Sequence, residues 1–186
     1  MIPVVIERTS RGERTIDIYS RLLMERNIFL TDRIETSNAT DIVSQMLYLD
    51  SVTSEMPINL YINSPGGSVI DGYSILNCMS NLKSKINGYV IGQACSMASV
   101  ILACCSMRYA FIYSMLMIHQ PKSGMFGQVT DLEIHAENVK EMKYTLTKII
   151  ADNCKQPFEK VSQDMERDYF MNAKQALEYG LIDEIL

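Results

Sequence analysis

Strand-like and helix-like segments alternate along most of this 186-residue chain. The apolar run at residues 58–62 is typical of a strand, and a helical pattern follows it from Val69 onward. Residues 86–91 form a second strand-like run, and the apolar stretch at residues 96–107 has the character of a helix. Because strands that alternate with helices pack as a sheet covered by helices, this order predicts an α/β fold.

The remaining segments fit the same architecture. The longest helical pattern covers residues 130–152, and its apolar face includes His135. A polar stretch at residues 7–17 contains a glycine and is typical of an exposed turn or hairpin. No linker or repeat interrupts the chain, so we expect a single domain over residues 1–186. Shorter elements are predicted as a helix at 18–24, a helix from Asn38 (capped by Ser37 or Asn38) that stops before Pro57, strands at 109–113 and 115–118, a helix after Pro157, and a helix between Asn172 and Gly180.

Composition and charge argue against several kinds of protein. The net charge is −5 and no basic run is present, which argues against a nucleic-acid-binding protein. No apolar run reaches 18 residues, and residues 1–3 lead directly into charged sequence, so neither a membrane span nor a secretory signal is expected. The five cysteines lack metal-binding spacing, and an odd number of thiols fits a reducing compartment. We therefore expect a cytoplasmic protein with no metal and no other cofactor.

Ser96 is the first residue that could carry chemistry. It lies in the stretch Gly-Gln-Ala-Cys-Ser-Met-Ala, residues 92–98, where a strand-like run turns into a helix-like run. A serine at this place is either the N-cap of the helix or a nucleophile whose developing negative charge is stabilised by free backbone N–H groups. Local sequence favours the cap. Cys95 is a weaker nucleophile candidate, because adjacent side chains point in different directions and only one can face a base.

Other residues supply the partners that a nucleophile needs. The loop at residues 64–68, Ser-Pro-Gly-Gly-Ser, also joins a strand to a helix, and its N–H groups could bind an oxyanion. His119 ends a short strand beside a loop, as suits a general base, whereas His135 on the packed helix face is expected to be structural. Asp164 and Asp168 are both candidates for the carboxylate that orients the imidazole.

Several stretches of the chain resemble, in the right order, the proteolytic subunit of the Clp protease, ClpP. These stretches are D-I-Y-S-R-L-L (residues 17–23), Y-I-N-S-P-G-G-S (61–68), G-Q-A-C-S-M (92–97), M-I-H-Q-P (117–121), T-D-L-E-I-H-A (130–136), E-R-D (166–168) and A-L-E-Y-G-L-I-D (176–183). The resemblance covers nearly the whole chain, and several independent motifs in one order make it highly specific.

The resemblance implies a ClpP/crotonase-type fold, a spiral of β-β-α units with a protruding handle helix. It implies two heptameric rings around a chamber, with residues 1–17 as an axial loop region and residues 122–152 as the handle region that locks the rings together. An AAA+ Clp unfoldase would dock on apolar pockets at subunit junctions and feed unfolded polypeptides into the chamber. The implied activity is that of a serine endopeptidase in an ATP-dependent protease of protein quality control.

The resemblance also implies a role for each site residue. Ser96 would be the nucleophile, His119 the base and Asp168 the orienting acid. The backbone N–H groups of Gly67 and Met97 would form the oxyanion hole. An extended peptide would bind by strand addition to a further set of residues, Ser68, Lys122, Ser123, Gly124, Met125 and Phe126.

The chain departs from the family pattern at several positions. Cys95 stands where alanine is usual, and the segment between Ser96 and His119 is short. Asn59 and Asn81 fall where the docking pockets usually carry apolar or aromatic side chains, and polar groups there should weaken a hydrophobic anchor. Further departures lie at Ala98, Ser99, Tyr113, Met115 and residues 122–124. The hypothesis that follows is a divergent paralogue that docks an unfoldase poorly or acts beside a second ClpP subunit.

Two other functions remain open at this point. The chain could be a structural or regulatory subunit of a mixed ClpP ring, with a catalytically weak triad. It could also be a crotonase-type hydratase or isomerase that binds coenzyme A thioesters, because that chemistry uses a similar oxyanion hole. The intact Ser96, His119 and Asp168 favour the peptidase, since the crotonase-type chemistry usually relies on carboxylates.

Overall fold

A computed structural model of the chain describes residues 3–9 and 12–186. Within these residues a largely parallel sheet and its helices form the predicted α/β fold. Strands β1 (Val4–Thr9) and β2 (Gly12–Asp17) pair in antiparallel orientation, so the polar stretch forms the predicted hairpin. Residues 1, 2, 10 and 11 of the expected axial loop region lie outside the described residues.

Parallel strands form the main sheet. In spatial order they are β3 (Asn27–Leu30), β4 (Ile58–Ser64), β5 (Ile86–Cys95), β6 (Met107–Ala110) and β9 (Glu184–Ile185). The second half of β5 leaves β6 and pairs with β7 (Met115–Ile118), which pairs in antiparallel orientation with β8 (Tyr169–Asn172). The sheet therefore steps sideways along β5, and the carboxyl ends of β4, β5 and β7 meet in one region.

Helices connect these strands and bury the apolar faces of the sheet. They are α1 (Ile18–Met24), α2 (Thr36–Val52), α3 (Val69–Asn81), α4 (Met97–Ala103), α5 (Val129–Cys154), α6 (Phe158–Asp164) and α7 (Ala173–Tyr179). Every residue of α4 is buried, because this helix lies inside the apolar cluster that includes Leu60, Val90 and Ile101. Each large aliphatic side chain removed from water in this way contributes about 1.5–3 kcal/mol to folding. None of the helices in the described part of the chain is both long and apolar enough to cross a bilayer.

Local contacts move several element boundaries away from their predicted places. Helix α2 begins at Thr36 rather than Asn38, because Glu35 is its N-cap and the Asn38 side chain accepts the Glu35 N–H at 3.0 Å. Strand β5 continues to Cys95 because β7 supplies a new partner beyond Val90. Helix α4 stops at residue 103 and β6 starts at residue 107, so the predicted limits of 107 and 109 are wrong.

The long helix α5 is buried only in its second half. Its buried residues begin at Leu146, whereas Leu132 and Ile134 are 37% and 60% exposed. The predicted packed face therefore does not extend to the first half of the helix, and His135 lies outside the core. That this exposed half forms the handle of the family resemblance stays a prediction.

Candidate active site

Ser96 occupies the turn between β5 and α4 with an unusual backbone conformation. Its φ of 55° and ψ of −124° lie in a region that costs a non-glycine residue on the order of 1–3 kcal/mol. The surrounding structure holds this conformation, since the Ser96 N–H donates to Met117 O at 2.8 Å and the Ser99 hydroxyl donates to Ser96 O at 2.6 Å. The Ser96 side chain forms no cap hydrogen bond with α4, so the N-cap interpretation of its hydroxyl is wrong.

The Ser96 hydroxyl instead begins a chain of hydrogen bonds. Its Oγ lies 2.7 Å from His119 Nε2, and His119 Nδ1 lies 2.9 Å from Asp168 Oδ1. The tautomer that satisfies both contacts carries its proton on Nδ1, which donates to Asp168, and accepts the Ser96 proton at Nε2. The imidazole is 10% exposed and the Asp168 side chain 43%. This arrangement can remove a proton from the serine hydroxyl and stabilise the imidazolium that forms.

Strand register explains why residues so far apart in the chain meet. Strand β7 pairs with the end of β5, with Cys95 opposite Met117, so His119 follows directly beside the Ser96 turn. Strand β8 runs antiparallel to β7, with Ile118 opposite Tyr169. Extending that pairing by one position places Asp168 opposite His119.

The short connection from β6 to β7 does not disturb this register. Val90 O accepts hydrogen bonds from the Phe111 N–H at 3.0 Å and from the Ser114 hydroxyl at 2.7 Å. These bonds attach both ends of the connection to β5. Tyr113, one of the departures from the family pattern, is 96% exposed in the intervening turn and contributes nothing to the Ser96 site.

The structure distinguishes the two aspartates that the sequence offered. Asp164 accepts hydrogen bonds from Lys160 Nζ at 2.6 Å and from the Tyr179 hydroxyl at 2.9 Å, both away from His119. Asp168 alone of the two contacts the imidazole. The hydrogen bond from His119 lowers the pKa of Asp168 against the opposing effect of desolvation, and the nearby Lys122 ammonium acts in the same direction as His119.

The Gly66–Gly67 loop lies against the Ser96 turn at the end of β4. A Cβ at Gly66 would lie 2.7 Å from Ser96 Cβ and 2.9 Å from Met97 N, so only glycine fits there. Backbone bonds of 2.9 Å from Ile34 N to Gly66 O and from Ser68 N to Ile34 O hold the loop in place. Within the described residues, the N–H groups of Gly67 and Met97 donate to no acceptor. Their assignment as the oxyanion hole stays a prediction from the family resemblance.

A cleft of about 310 Å³ opens over Ser96 and His119. Gly67 and Lys122 line this cleft, and their roles in binding the oxyanion and the substrate stay predictions. The structure adds lining residues for which sequence reasoning predicted no role, namely Arg33, Pro65, Val69, Met117 and Pro121. Arg33 and Val69 reach the cleft from segments outside the motif core, and no local pattern marks them.

The segment at residues 122–126 is exposed and pairs with no strand in the described part of the chain. Ser123 is attached to α5, since its Oγ lies 2.6 Å from His135 Nε2, and Phe126 is fully exposed. Ser68, which the resemblance includes in the peptide-binding set, does not begin a strand in the structure. Gly67 forms only an isolated bridge, and Ser68 is the N-cap of α3, whose side chain accepts the Asp71 N–H at 3.3 Å.

A family model described as Clp protease matches residues 10–186. The chain belongs to the Clp protease family. The match spans nearly the whole chain, and the α/β fold with its mostly parallel sheet agrees with the ClpP fold that the sequence motifs indicated. Membership places the chain among peptidases and does not favour the hydratase or isomerase alternative.

The side chain of Cys95 is separated from the base in this Clp protease family member. It is 4% exposed, and its Sγ lies 3.6 Å from Gln93 Oε1. Burial raises the pKa of the Cys95 thiol, with a smaller contribution from the Asp168 charge. A protonated thiol that does not contact His119 is a poor nucleophile, so the geometry favours Ser96.

The other thiols and carboxylates form no obvious site for an ion. Within residues 3–9 and 12–186, no group of three or more His, Cys, Asp or Glu side chains could hold a metal. All five cysteines are free thiols. Burial raises the pKa of Cys104 and of Cys154 to about 11, so both thiols are protonated at neutral pH.

Proposed function

We propose that this chain is a serine endopeptidase subunit in which Ser96 is the nucleophile, His119 the general base and acid, and Asp168 the orienting carboxylate. The observation that carries the proposal is the continuous hydrogen-bonded chain from Ser96 Oγ through the His119 ring to Asp168 Oδ1, at 2.7 and 2.9 Å. The strained backbone at Ser96 supports it, because such strain occurs where a side chain is presented for function.

Peptide cleavage would begin with attack of Ser96 Oγ on the scissile carbonyl carbon. The hydroxyl proton passes to His119 Nε2 as the new C–O bond forms. Negative charge then develops on the carbonyl oxygen, where the N–H groups of Gly67 and Met97 are available as donors. One such donor contributes about 3–4 kcal/mol to the stability of the transition state.

The second half of the reaction returns the enzyme to its starting state. His119 gives its proton to the leaving amine, the C–N bond breaks, and an acyl-Ser96 ester remains. A water molecule then attacks the ester while His119 Nε2 takes one of its protons. When the tetrahedral intermediate collapses, that proton returns to Ser96 Oγ and the carboxylic acid product leaves. Asp168 stays ionised throughout and stabilises the imidazolium.

A fluorophosphonate probe tests this assignment directly. Ser96 Oγ would displace fluoride from phosphorus, with the hydroxyl proton passing to His119, and the protein would gain one covalent adduct. We expect wild type and the matched neighbour variant Cys95→Ala to label, and Ser96→Ala to remain unlabelled. An unlabelled wild type, or labelling that persists in Ser96→Ala, would show that Ser96 is not the activated nucleophile.

We further infer that the active particle consists of two heptameric rings, with substrate supplied by an AAA+ Clp unfoldase in an ATP-dependent reaction in the cytoplasm. The exposed apolar side chains at the handle support an assembly, because Phe126, Val129 and Ile134 are 101%, 72% and 60% exposed. The five free thiols agree with a reducing compartment. Native mass measurement distinguishes a tetradecamer from a heptamer or a mixed ring.

The expected unfoldase-docking surface is one place where this chain departs from the family pattern, and a second function rests on that departure. The Asn59 amide donates to the Asn27 side chain at 3.1 Å and so presents polar groups where the family expects apolar ones. The alternative function is a catalytically weak, structural or regulatory subunit beside a more typical paralogue. ATP-dependent degradation of a tagged substrate by this subunit and an unfoldase alone would contradict the divergent-paralogue hypothesis.

A further inference from the structure

Lys122 contacts the same carboxylate oxygen that His119 uses. Its Nζ lies 3.4 Å from Asp168 Oδ1, the atom that accepts the His119 Nδ1–H at 2.9 Å. Lys122 also lines both clefts beside the imidazole, the one over Ser96 and a second of about 620 Å³ that Glu166, Arg167 and Asp168 border. An ammonium group therefore lies at the outer side of the Ser96–His119–Asp168 chain.

Hydrogen bonds made by Gln120, before Lys122, and by Ser123, after it, fix the segment that carries Lys122. Before it, the Gln120 N–H donates to Met165 O at 2.6 Å, and the Gln120 side-chain amide donates to Glu166 O at 2.9 Å. After it, Ser123 Oγ lies 2.6 Å from His135 Nε2 on α5. Lys122 is thus carried on a short segment attached at both ends, although its side chain is 73% exposed.

We infer that Lys122 is a positioning residue for the triad, which holds the Asp168 carboxylate ionised and directed at His119. The inference rests on the proposed roles of Ser96, His119 and Asp168. The Asp168 carboxylate is accessible to water, since its side chain is 43% exposed, and its polar side-chain partners among the described residues are His119 and Lys122. A methionine or other neutral side chain at this position would leave His119 Nδ1 as the main partner of Oδ1.

The direction of the electrostatic effect follows from the geometry. The Lys122 ammonium lies against Asp168 Oδ1, so it would repel a second positive charge on the imidazole bound to the same oxygen. Removing the ammonium should shift proton uptake by His119 to higher pH. Other charged or titratable groups around the imidazole remain unchanged in such a variant, namely Arg33 across the Ser96 cleft, Cys95 before the Ser96 turn, and Glu166 (paired with Lys143) and Arg167 beside Asp168.

The test compares Lys122→Met with two controls in the full-length assembled protein. Lys122→Arg retains the positive charge, and Lys148→Met removes an exposed lysine that pairs with Asp152 on α5. Two readouts are followed from pH 5 to 9, the rate of fluorophosphonate labelling and the ring signals of ¹³C-labelled histidine. The chain has only two histidines, so His135→Gln assigns both signals.

We expect the midpoint of the His119 ring signal, and that of the labelling rate, to move to higher pH by about 0.2–0.7 unit in Lys122→Met. Lys122→Arg and Lys148→Met should keep the wild-type midpoints. An unchanged His119 midpoint in Lys122→Met overturns the inference, whether or not Ser96 labels. The two proposals can also fail separately. If the His119 midpoint shifts in Lys122→Met but the wild-type protein is never labelled, the role of Lys122 is supported and Ser96 is not the nucleophile.

Discussion

Gly66 is the residue at which the Ser96 turn leaves the least space. Its φ is 88°, and an added Cβ would approach Cys95 O to 2.5 Å and Ser96 Cβ to 2.7 Å, both parts of the turn itself. Relief of that clash requires either the strained Ser96 backbone or the glycine loop to move. At the scale of single residues, the Gly66–Gly67 loop therefore packs directly against the Ser96 turn and supports its conformation.

Gly66→Ala should therefore reduce the rate of Ser96 labelling by about 100-fold or more, as loss of an oxyanion donor does. The rate of fluorophosphonate labelling measures this, and a thermal unfolding curve shows whether the fold survives. Gly127→Ala is the matched control, because a Cβ there meets only Asp131, at 3.8 Å and beyond. Equal labelling rates in the two variants would mean that the glycine loop does not support the serine.

Asp168→Asn should lower the labelling rate by about 10³–10⁴-fold. An amide in place of the carboxylate cannot stabilise the imidazolium and favours the wrong imidazole tautomer. Asp164→Asn is the control, because that carboxylate binds Lys160 and Tyr179 instead of His119. If both variants lose the same activity, Asp168 acts through general stability and not through the imidazole.

Among the elements, the short strand β9 pairs with β6 through only two residues. An ion pair between Arg108 of β6 and Asp183, just before β9, adds a second connection. Arg108 Nε donates to Asp183 Oδ2 at 3.0 Å, and the Arg108 backbone N–H donates to the same oxygen at 2.9 Å. The Arg108 side chain is 12% exposed, and its guanidinium also donates to Gly180 O at 2.8 Å. The hydrogen bonds from Arg108 lower the pKa of Asp183 against partial desolvation.

Asp183→Asn should reduce the free energy of unfolding at pH 7 by about 1–3 kcal/mol, because it leaves the Arg108 charge without its partner. Since the pKa of Asp183 is lowered from 3.8 in the folded chain, its stabilising effect is complete above about pH 4 and disappears as the pH falls through the lowered value. Denaturant unfolding of both proteins between pH 7 and pH 3 measures the difference. Asp152→Asn, at an exposed pair, should change stability by less than about 1 kcal/mol. A difference that persists below the pKa of Asp183 would contradict this assignment.

The two halves of α5 have different surroundings, although they belong to one continuous helix. Ile150 is fully buried among core residues, whereas Ile134 is 60% exposed. Ile150→Ala should therefore lower the free energy of unfolding by about 2–4 kcal/mol. The same change at Ile134 should have little effect on a subunit in isolation, and denaturant unfolding compares the two variants. Equal losses would mean that the first half of the helix is packed as firmly as the second.

At the scale of the whole molecule, the exposed apolar side chains in the first half of α5 bear on the proposed assembly. If this surface joins two rings, Ile134→Asp should reduce the native mass of the particle by about half, because burying a charge at an apolar contact is costly. Glu133→Gln, a neighbouring exposed position, is the control. Native mass spectrometry measures both variants, and an unchanged mass for Ile134→Asp would place the contact between rings elsewhere.

The sequence by itself determined the α/β alternation, the strand-turn-helix context of Ser96, and the two ends of the last helix at Asn172 and Gly180. These features depend on periodicity, capping and short motifs. Such signals come from residues adjacent in the sequence, so they do not depend on where the segment lies in the fold. It also singled out His119 as the better of two histidines. Local patterns alone left Asp164 and Asp168 both open, with only the family resemblance favouring Asp168, and they extended the packed face of α5 too far.

Only the tertiary structure decided those points, because they depend on contacts between distant parts of the chain. The register of β7 with β8 brings Asp168 to His119, 49 positions away in the sequence. The pairing of β5 with β7 and the close approach of Gly66 impose the positive φ on Ser96. Hydrophobic periodicity shows which face of a segment is apolar, but strand pairing determines which side chains meet.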